Sequence, residues 1–121
     1  MDCYIGIDVS KATLDVASLP NGESWTLTND DLGLAELTPR LIALIPTLIV
    51  LEATGGCETL AAITLAKAGL PIAMVNPRQV RDFAKALGRL AKTDALDAGF
   101  LAEFAQRVRR RSPQLPFACF P

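Results

Sequence analysis

The sequence contains no histidine, and its three cysteines are scattered at positions 3, 57 and 119. Because protein zinc sites use cysteine and histidine ligands at short spacings, this composition argues against a zinc centre. It also excludes acid–base catalysis by histidine. An odd number of widely separated cysteines is typical of a reducing compartment, where each thiol packs as a small apolar residue.

Long hydrophobic runs and a targeting signal are missing as well. The longest apolar stretch, residues 41–51, is interrupted by Pro46 and Thr47. It is shorter than the ~20 residues that are needed to span a bilayer. The N-terminus carries Asp2 and lacks the basic segment that begins a signal peptide. We therefore expect a cytoplasmic protein.

The composition fits a single globular domain. The chain has 121 residues, of which 50% are hydrophobic and 21% are charged, enough to bury a core. Its net charge of -1 identifies no class of partner. An enzyme that acts on nucleic acids can balance an acidic site against a basic face, so the distribution of charge matters more than its sum.

Hydrophobic patterning predicts an α/β domain. Three β-prone segments, residues 3–9, 13–19 and 23–28, are separated by short turns and predict an antiparallel meander. Strands and helices then alternate. We predict a helix capped by Asn29, Asp30 or Asp31 and ended by Pro46, strands at 47–51 and 71–75, and helices at 57–68, 78–87 and 93–108. The order predicts a mixed sheet with helices on both faces, compatible with a ribonuclease H-like fold.

Four carboxylates lie at the ends of predicted strands or near the start of the last predicted helix. Asp8 and Glu52 each follow a buried strand, so they emerge at the same edge of the sheet if those strands are neighbours. Asp94 and Asp97 are three residues apart, which places them on one face of a helix. Three segments of the chain can therefore converge on one site.

Carboxylates gathered in this way repel one another, by roughly 4 kcal/mol for two charges ~4 Å apart at an effective dielectric of about 20. A divalent cation relieves that repulsion, and oxygen ligands suit Mg²⁺ or Mn²⁺. The four residues thus predict a metal site for two-metal hydrolysis or transfer at nucleic-acid phosphates. Taken singly, each residue also fits a simpler role as a turn residue, a helix cap or a solvated side chain.

Basic side chains repeat on the helix that precedes the aspartate pair, at spacings of three, four and four residues. Such a stripe can bind phosphates, although a solvated helix face is an equally good interpretation. The candidates for contacts to DNA or RNA phosphates are Lys11, Arg78, Arg81, Lys85, Arg89 and Lys92.

Four ordered motifs resemble one protein family. They are Tyr-Ile-Gly-Ile-Asp-Val-Ser-Lys at 4–11, Leu-Glu-Ala-Thr-Gly at 51–55, Val-Asn-Pro-Arg-Gln-Val-Arg-Asp-Phe-Ala at 75–84 and Lys-Thr-Asp-Ala-Leu-Asp-Ala at 92–98. From about residue 3 to residue 108, the chain resembles the N-terminal RuvC-like domain of the DEDD transposases of the insertion sequence 110 family.

The resemblance implies a RuvC-type, ribonuclease H-like fold and a catalytic role in DNA transposition. It implies that Asp8, Glu52, Asp94 and Asp97 are the catalytic acidic tetrad and bind Mg²⁺, for which Mn²⁺ can substitute. The implied partners are DNA and, for some members, a structured guide RNA. We also expect a homo-oligomer, a dimer or a tetramer.

The end of the sequence departs from the family pattern. Members continue into a second domain that carries a catalytic serine, whereas residues 109–121 form a basic, proline-containing tail without a regular pattern. We therefore expect residues 3–108 to form the catalytic domain and the chain to be inactive on its own.

Two other functions fit part of the pattern. Actin-like ATPases and sugar kinases also end their first strand in Gly-x-Asp, but a phosphate-binding turn rich in glycine and threonine follows there. Here Val9, Ser10 and Lys11 follow Asp8. The other alternative is a module that only binds nucleic acid or oligomerises, and it would bind structured RNA equally well with all four acids neutralised.

Overall fold

The computed structural model describes residues 2–52, 55–86, 88 and 98–111, and in these residues the elements follow the predicted order. The strands are β1 (Tyr4–Val9), β2 (Thr13–Leu19), β3 (Ser24–Thr28), β4 (Leu48–Glu52) and β5 (Ile72–Val75). The helices are α1 (Asp31–Leu44), α2 (Thr59–Lys67), α3 (Pro77–Ala86) and α4 (Ala98–Arg111). α4 continues three residues beyond its predicted end at residue 108. Over the described ranges, none of these helices is long and apolar enough to cross a bilayer.

The strands form one mixed sheet in the order β3-β2-β1-β4-β5. The meander β1-β2-β3 is antiparallel, because short turns can join only antiparallel neighbours. The pairs β1-β4 and β4-β5 are parallel, and the helices α1 and α2 make the crossovers that parallel pairing requires. The prediction of a mixed sheet is confirmed.

Helices cover both faces of the sheet, as predicted. One face packs against α1 and α2, and its core includes Ile5, Ile7 and Leu51. The other face, called the α4 face below, packs against α3 and α4 through a second apolar cluster, which includes Tyr4 and Val50. Because side chains alternate along a strand, the α4 face receives the even-numbered positions of β1 and β4 and the odd-numbered positions of β2.

Helix α1 begins at one of the three predicted caps. The Asp30 carboxylate accepts a hydrogen bond of 2.8 Å from the backbone N–H of Gly33, so Asp30 is the N-cap. Asp31 is the first helical residue, and Asn29 has a different role, which is described below. Capping the helix in this way fixes the chain where it leaves β3.

Candidate functional site

Asp8 and Glu52 lie side by side on neighbouring parallel strands. The β1–β4 register pairs Ile7 with Leu51, so the next residues along the two strands are Asp8 and Glu52. Both occupy even-numbered positions and therefore belong to the α4 face. The condition on which the sequence argument depended, that the two strands be neighbours, is met.

The two carboxylates influence each other electrostatically. Glu52 is buried, with 9% of its surface exposed, whereas Asp8 is half-buried. Burial raises the pKa of Glu52 above its ordinary value of 4.5, and the negative charge of Asp8 raises that pKa further. The positive charge of Arg81 on α3 acts in the opposite direction. An arrangement that disfavours a second negative charge is one that a bound cation would stabilise.

The other two predicted ligands, Asp94 and Asp97, lie outside the described residues. Within residues 2–52, 55–86, 88 and 98–111, no group of three or more histidine, cysteine, aspartate or glutamate side chains could hold a metal ion. The described part of the chain therefore supplies one pair of candidate ligands, Asp8 and Glu52.

Helix α4 lies directly against β1 next to this pair. A Cβ atom on Gly6 would collide with the backbone of Ala98, Leu101 and Ala102, so the helix can approach this closely only because residue 6 is glycine. A glycine inside a buried strand is typical of such a close approach, and here it is the α4 backbone that approaches. The first residue of α4 thereby comes close to the strand that carries Asp8.

A third carboxylate of the α4 face was missed by the sequence reasoning. Asp15 on β2 is the cross-strand partner of Asp8 in the antiparallel register. Its carboxylate accepts a hydrogen bond of 2.8 Å from the hydroxyl of Thr26 on β3. The signal was the alternation of residues 13–19, which places Asp15 on one face with Thr13 and Ala17. Finding its position opposite Asp8 requires the hairpin register, which the sequence does not specify.

The basic residues of α3 point away from the core. Val80 and Ala84 are buried, whereas Arg78, Arg81 and Lys85 are exposed. α3 begins at Pro77, two residues after Val75, the β5 partner of Glu52 in the sheet register. Of the other predicted phosphate contacts, Lys11 is exposed in the turn after β1, while Arg89 and Lys92 lie outside the described residues.

The chain is similar in sequence to a transposase family and to proteins that invert a pilin gene. Residues 5–118 match the family model for the DEDD transposases of insertion sequence 110, described as "Transposase". Pilin gene-inverting proteins from Moraxella lacunata and Moraxella bovis are each 34% identical to the chain over 110 residues. The match covers 86% of this chain and 34% of each relative, so the chain spans about a third of their length.

Comparison with solved structures supports the fold. RuvC from T. thermophilus, in complex with a Holliday junction substrate, is similar with a TM-score of 0.61. The alignment covers 93% of this chain and 97% of that one, at 12% sequence identity. At such low identity the likeness shows the fold alone, and it confirms the predicted RuvC-type, ribonuclease H-like fold.

Proposed function

Because the chain belongs to the DEDD transposase family of insertion sequence 110, we propose that it is the metal-binding catalytic domain of a recombinase that acts on DNA phosphodiesters in transposition. The observation that carries the proposal is that Asp8 and Glu52 directly follow the paired residues Ile7 and Leu51 of two parallel strands. The carboxyl ends of parallel strands are where α/β sheets place their functional groups.

Oxygen ligands of this kind fit a hard divalent cation. Glu52 is buried beside a second carboxylate and its pKa is raised, so a cation there would offset both the burial and the repulsion. We assign Mg²⁺, with Mn²⁺ as a substitute, to Asp8, Glu52, Asp94 and Asp97. When bound, the metal supplies activation of the attacking hydroxyl and stabilisation of the leaving oxygen.

The position of α4 favours the assignment of Asp97. Ala98 packs against Gly6, two residues before Asp8. Because Asp97 directly precedes Ala98 in the sequence, a site shared with Asp8 is compatible with this contact.

The substrate and partners follow from charge and from the relatives. α3, which carries the exposed basic residues, begins two residues after Val75, the β5 partner of Glu52, so phosphates bound by this stripe would lie near the carboxylates. The RuvC structure holds a Holliday junction, which is consistent with DNA as the substrate here. We extend the proposal to assembly as a homo-oligomer, and to a structured guide RNA where the element encodes one.

Thermal unfolding with and without Mn²⁺ tests the metal assignment. Binding to the folded state alone stabilises it by about 2.7 kcal/mol at 100 times the dissociation constant, so Mn²⁺ should raise the melting temperature. Asp8→Asn should remove the rise. Asp82→Asn is the matched control, because Asp82 is exposed on α3, and it should leave the rise intact. A melting temperature of the original chain that does not respond to Mn²⁺ or Mg²⁺ would contradict the proposal.

A binding and cleavage assay separates the enzyme from a module that only binds nucleic acid. The proposal predicts metal-dependent scission of branched DNA once any further segments needed for activity are supplied, and no scission by Asp8→Asn. Structured RNA bound equally well with all four acids neutralised, together with no cleaved product under any condition, would instead support the binding module.

A further inference from the structure

Asn29 connects the two loops that follow the carboxylate-bearing strands. Its side-chain Nδ2 donates one hydrogen bond of 2.8 Å to the carbonyl oxygen of Ser10 and another of 3.0 Å to that of Cys57. Its backbone N–H donates a third, of 2.9 Å, to the carbonyl oxygen of Ala12. One residue between β3 and α1 therefore contacts both the β1–β2 loop and the turn before α2.

These contacts lie just beyond the two proposed ligands. Ser10 is two residues after Asp8, and Cys57 is five residues after Glu52. The parallel register between β1 and β4 runs from Tyr4–Leu48 to Ile7–Leu51. Beyond the last pair of this register, the Asn29 side-chain amide binds both the segment that follows β1 and the segment that follows β4.

The residues on either side of Asn29 are themselves held in place by contacts at the start of α1. The hydroxyl of Thr28 donates a 2.8 Å hydrogen bond to the Asp30 carboxylate, which also caps α1 through Gly33. Gly33 packs so closely against the carbonyl of Thr28 that a Cβ atom there would overlap it. Asn29 is thus fixed from both sides along the chain.

The chemistry of the contacts requires donors. Both hydrogen bonds of the side chain end on carbonyl oxygens, so the group facing them must be the amide nitrogen. The side-chain Oδ1 is buried and has no hydrogen-bond partner among the described residues. Among the described residues, the Asn29 side chain therefore acts through its two donors.

We propose that Asn29 is a positioning residue of the carboxylate site. Its side chain joins the β1–β2 loop to the turn before α2, and these contacts set the spacing of Asp8 and Glu52. The inference rests on the proposed function, because spacing matters only if the two carboxylates share a ligand. Groups that orient metal ligands typically change metal affinity by about 10 to 100 fold when they are removed.

The test measures Mn²⁺ affinity by titration calorimetry on the full chain at a temperature where each variant is folded. Asn29→Asp keeps the shape of the side chain but replaces the donors with acceptors that face two carbonyls. Its dissociation constant for Mn²⁺ should rise about 10 fold or more. Asn29→Ser, which keeps one donor, should lie between Asn29→Asp and the original chain, and it serves if the aspartate variant does not fold.

Two controls separate positioning from general loss of stability. Asn21→Asp makes the same chemical change in the exposed β2–β3 turn, and Ser18→Ala removes a buried hydroxyl that contacts the Cys3 thiol on the other face of the sheet. Both should bind Mn²⁺ as the original chain does. Hydrogen exchange at residues 10–12 and 55–57 should be faster in Asn29→Asp and unchanged in the controls.

The outcomes distinguish this inference from the proposed function. If the original chain binds Mn²⁺ through Asp8 and the Asn29 variants bind it equally tightly, the positioning role is wrong and the metal site stands. The positioning role would also be wrong if Ser18→Ala lost as much stability as an Asn29 variant and weakened Mn²⁺ binding by the same factor. If the original chain binds no Mn²⁺, the proposed function itself fails.

Discussion

Glu52 lies beside Asp8 on the neighbouring parallel strand, where burial raises its pKa and the negative charge of Asp8 raises that pKa further. A carboxyl group whose pKa is raised in the folded state binds its proton more tightly there than in the unfolded chain. Its contribution to stability is fully present below the ordinary value of 4.5 and is lost as the pH rises through the raised value. At neutral pH, above that ordinary value, Glu52 therefore contributes less to the stability of the metal-free fold than it does in acid.

Glu52→Gln should consequently raise the melting temperature of the metal-free protein at pH 7. The gain should disappear in acid, where the glutamate is protonated and resembles the amide. The same variant should lose the stabilisation by Mn²⁺. Unfolding scans across the acid range, with and without the metal, check all three expectations. A melting temperature at pH 7 that falls on substitution would mean that the charge of Glu52 is stabilised in the fold without a metal.

Gly6→Ala tests whether α4 must lie against β1. Because the added methyl group meets the backbone of α4, it should destabilise the fold by about 1 to 3 kcal/mol, the usual cost of overpacking. Ser18→Ala, a buried change on the other face of the sheet, is the control for a general loss of stability. Urea unfolding should show losses in both, whereas Mn²⁺ affinity should fall only in Gly6→Ala. If both variants bind Mn²⁺ with the same affinity, the contact between α4 and β1 does not contribute to the metal site.

The placement of Asp8 beside Glu52 could be predicted because it follows from strong, local signals. Two short apolar runs, each ending in an acid, are typical of buried parallel strands, and the helical pattern between them supplies the crossover. The close approach at Gly6 was predictable for a related reason, since a glycine inside a buried strand has no side chain to pack. Such features depend on the spacing of apolar residues and on the order of strands and helices, and both can be read directly from the sequence.

The roles of Asp15 and Asn29 could not be predicted in this way. Asp15 faces Asp8 only in one hairpin register, and a shift by one residue would turn it to the other face. Asn29 bonds to Ser10 and Cys57, which are 19 and 28 residues away in the sequence. Its local signal is that of a helix cap, the role that Asp30 fills. Contacts between distant loops leave no periodic pattern to detect.

The salt dependence of DNA binding tests the basic stripe of α3. Each lysine or arginine that neutralises a phosphate contributes about one unit to the slope of log K against log salt concentration. Arg81→Ala and Lys85→Ala should each reduce that slope by about 1 on a short duplex or a branched DNA. Lys67→Ala, an exposed change at the end of α2, should leave it unchanged. Identical slopes for all three variants would identify the α3 stripe as a solvated face.

The cap of α1 gives a prediction on stability that is independent of any metal. The hydrogen bond from the backbone N–H of Gly33, followed by that from the Thr28 hydroxyl, lowers the pKa of Asp30 below its ordinary value of 3.8. A lowered pKa means that the charged carboxylate stabilises the fold above that ordinary value, and that this stabilisation is lost as the pH falls through the lowered one. Asp30→Ala should therefore be less stable than the original chain at pH 7, with the difference shrinking in acid. Asp31→Ala, one residue along in the first turn, controls for the loss of a negative charge near the helix dipole. If the deficit of Asp30→Ala stays constant across the acid range in urea unfolding, the cap does not depend on the charge of Asp30.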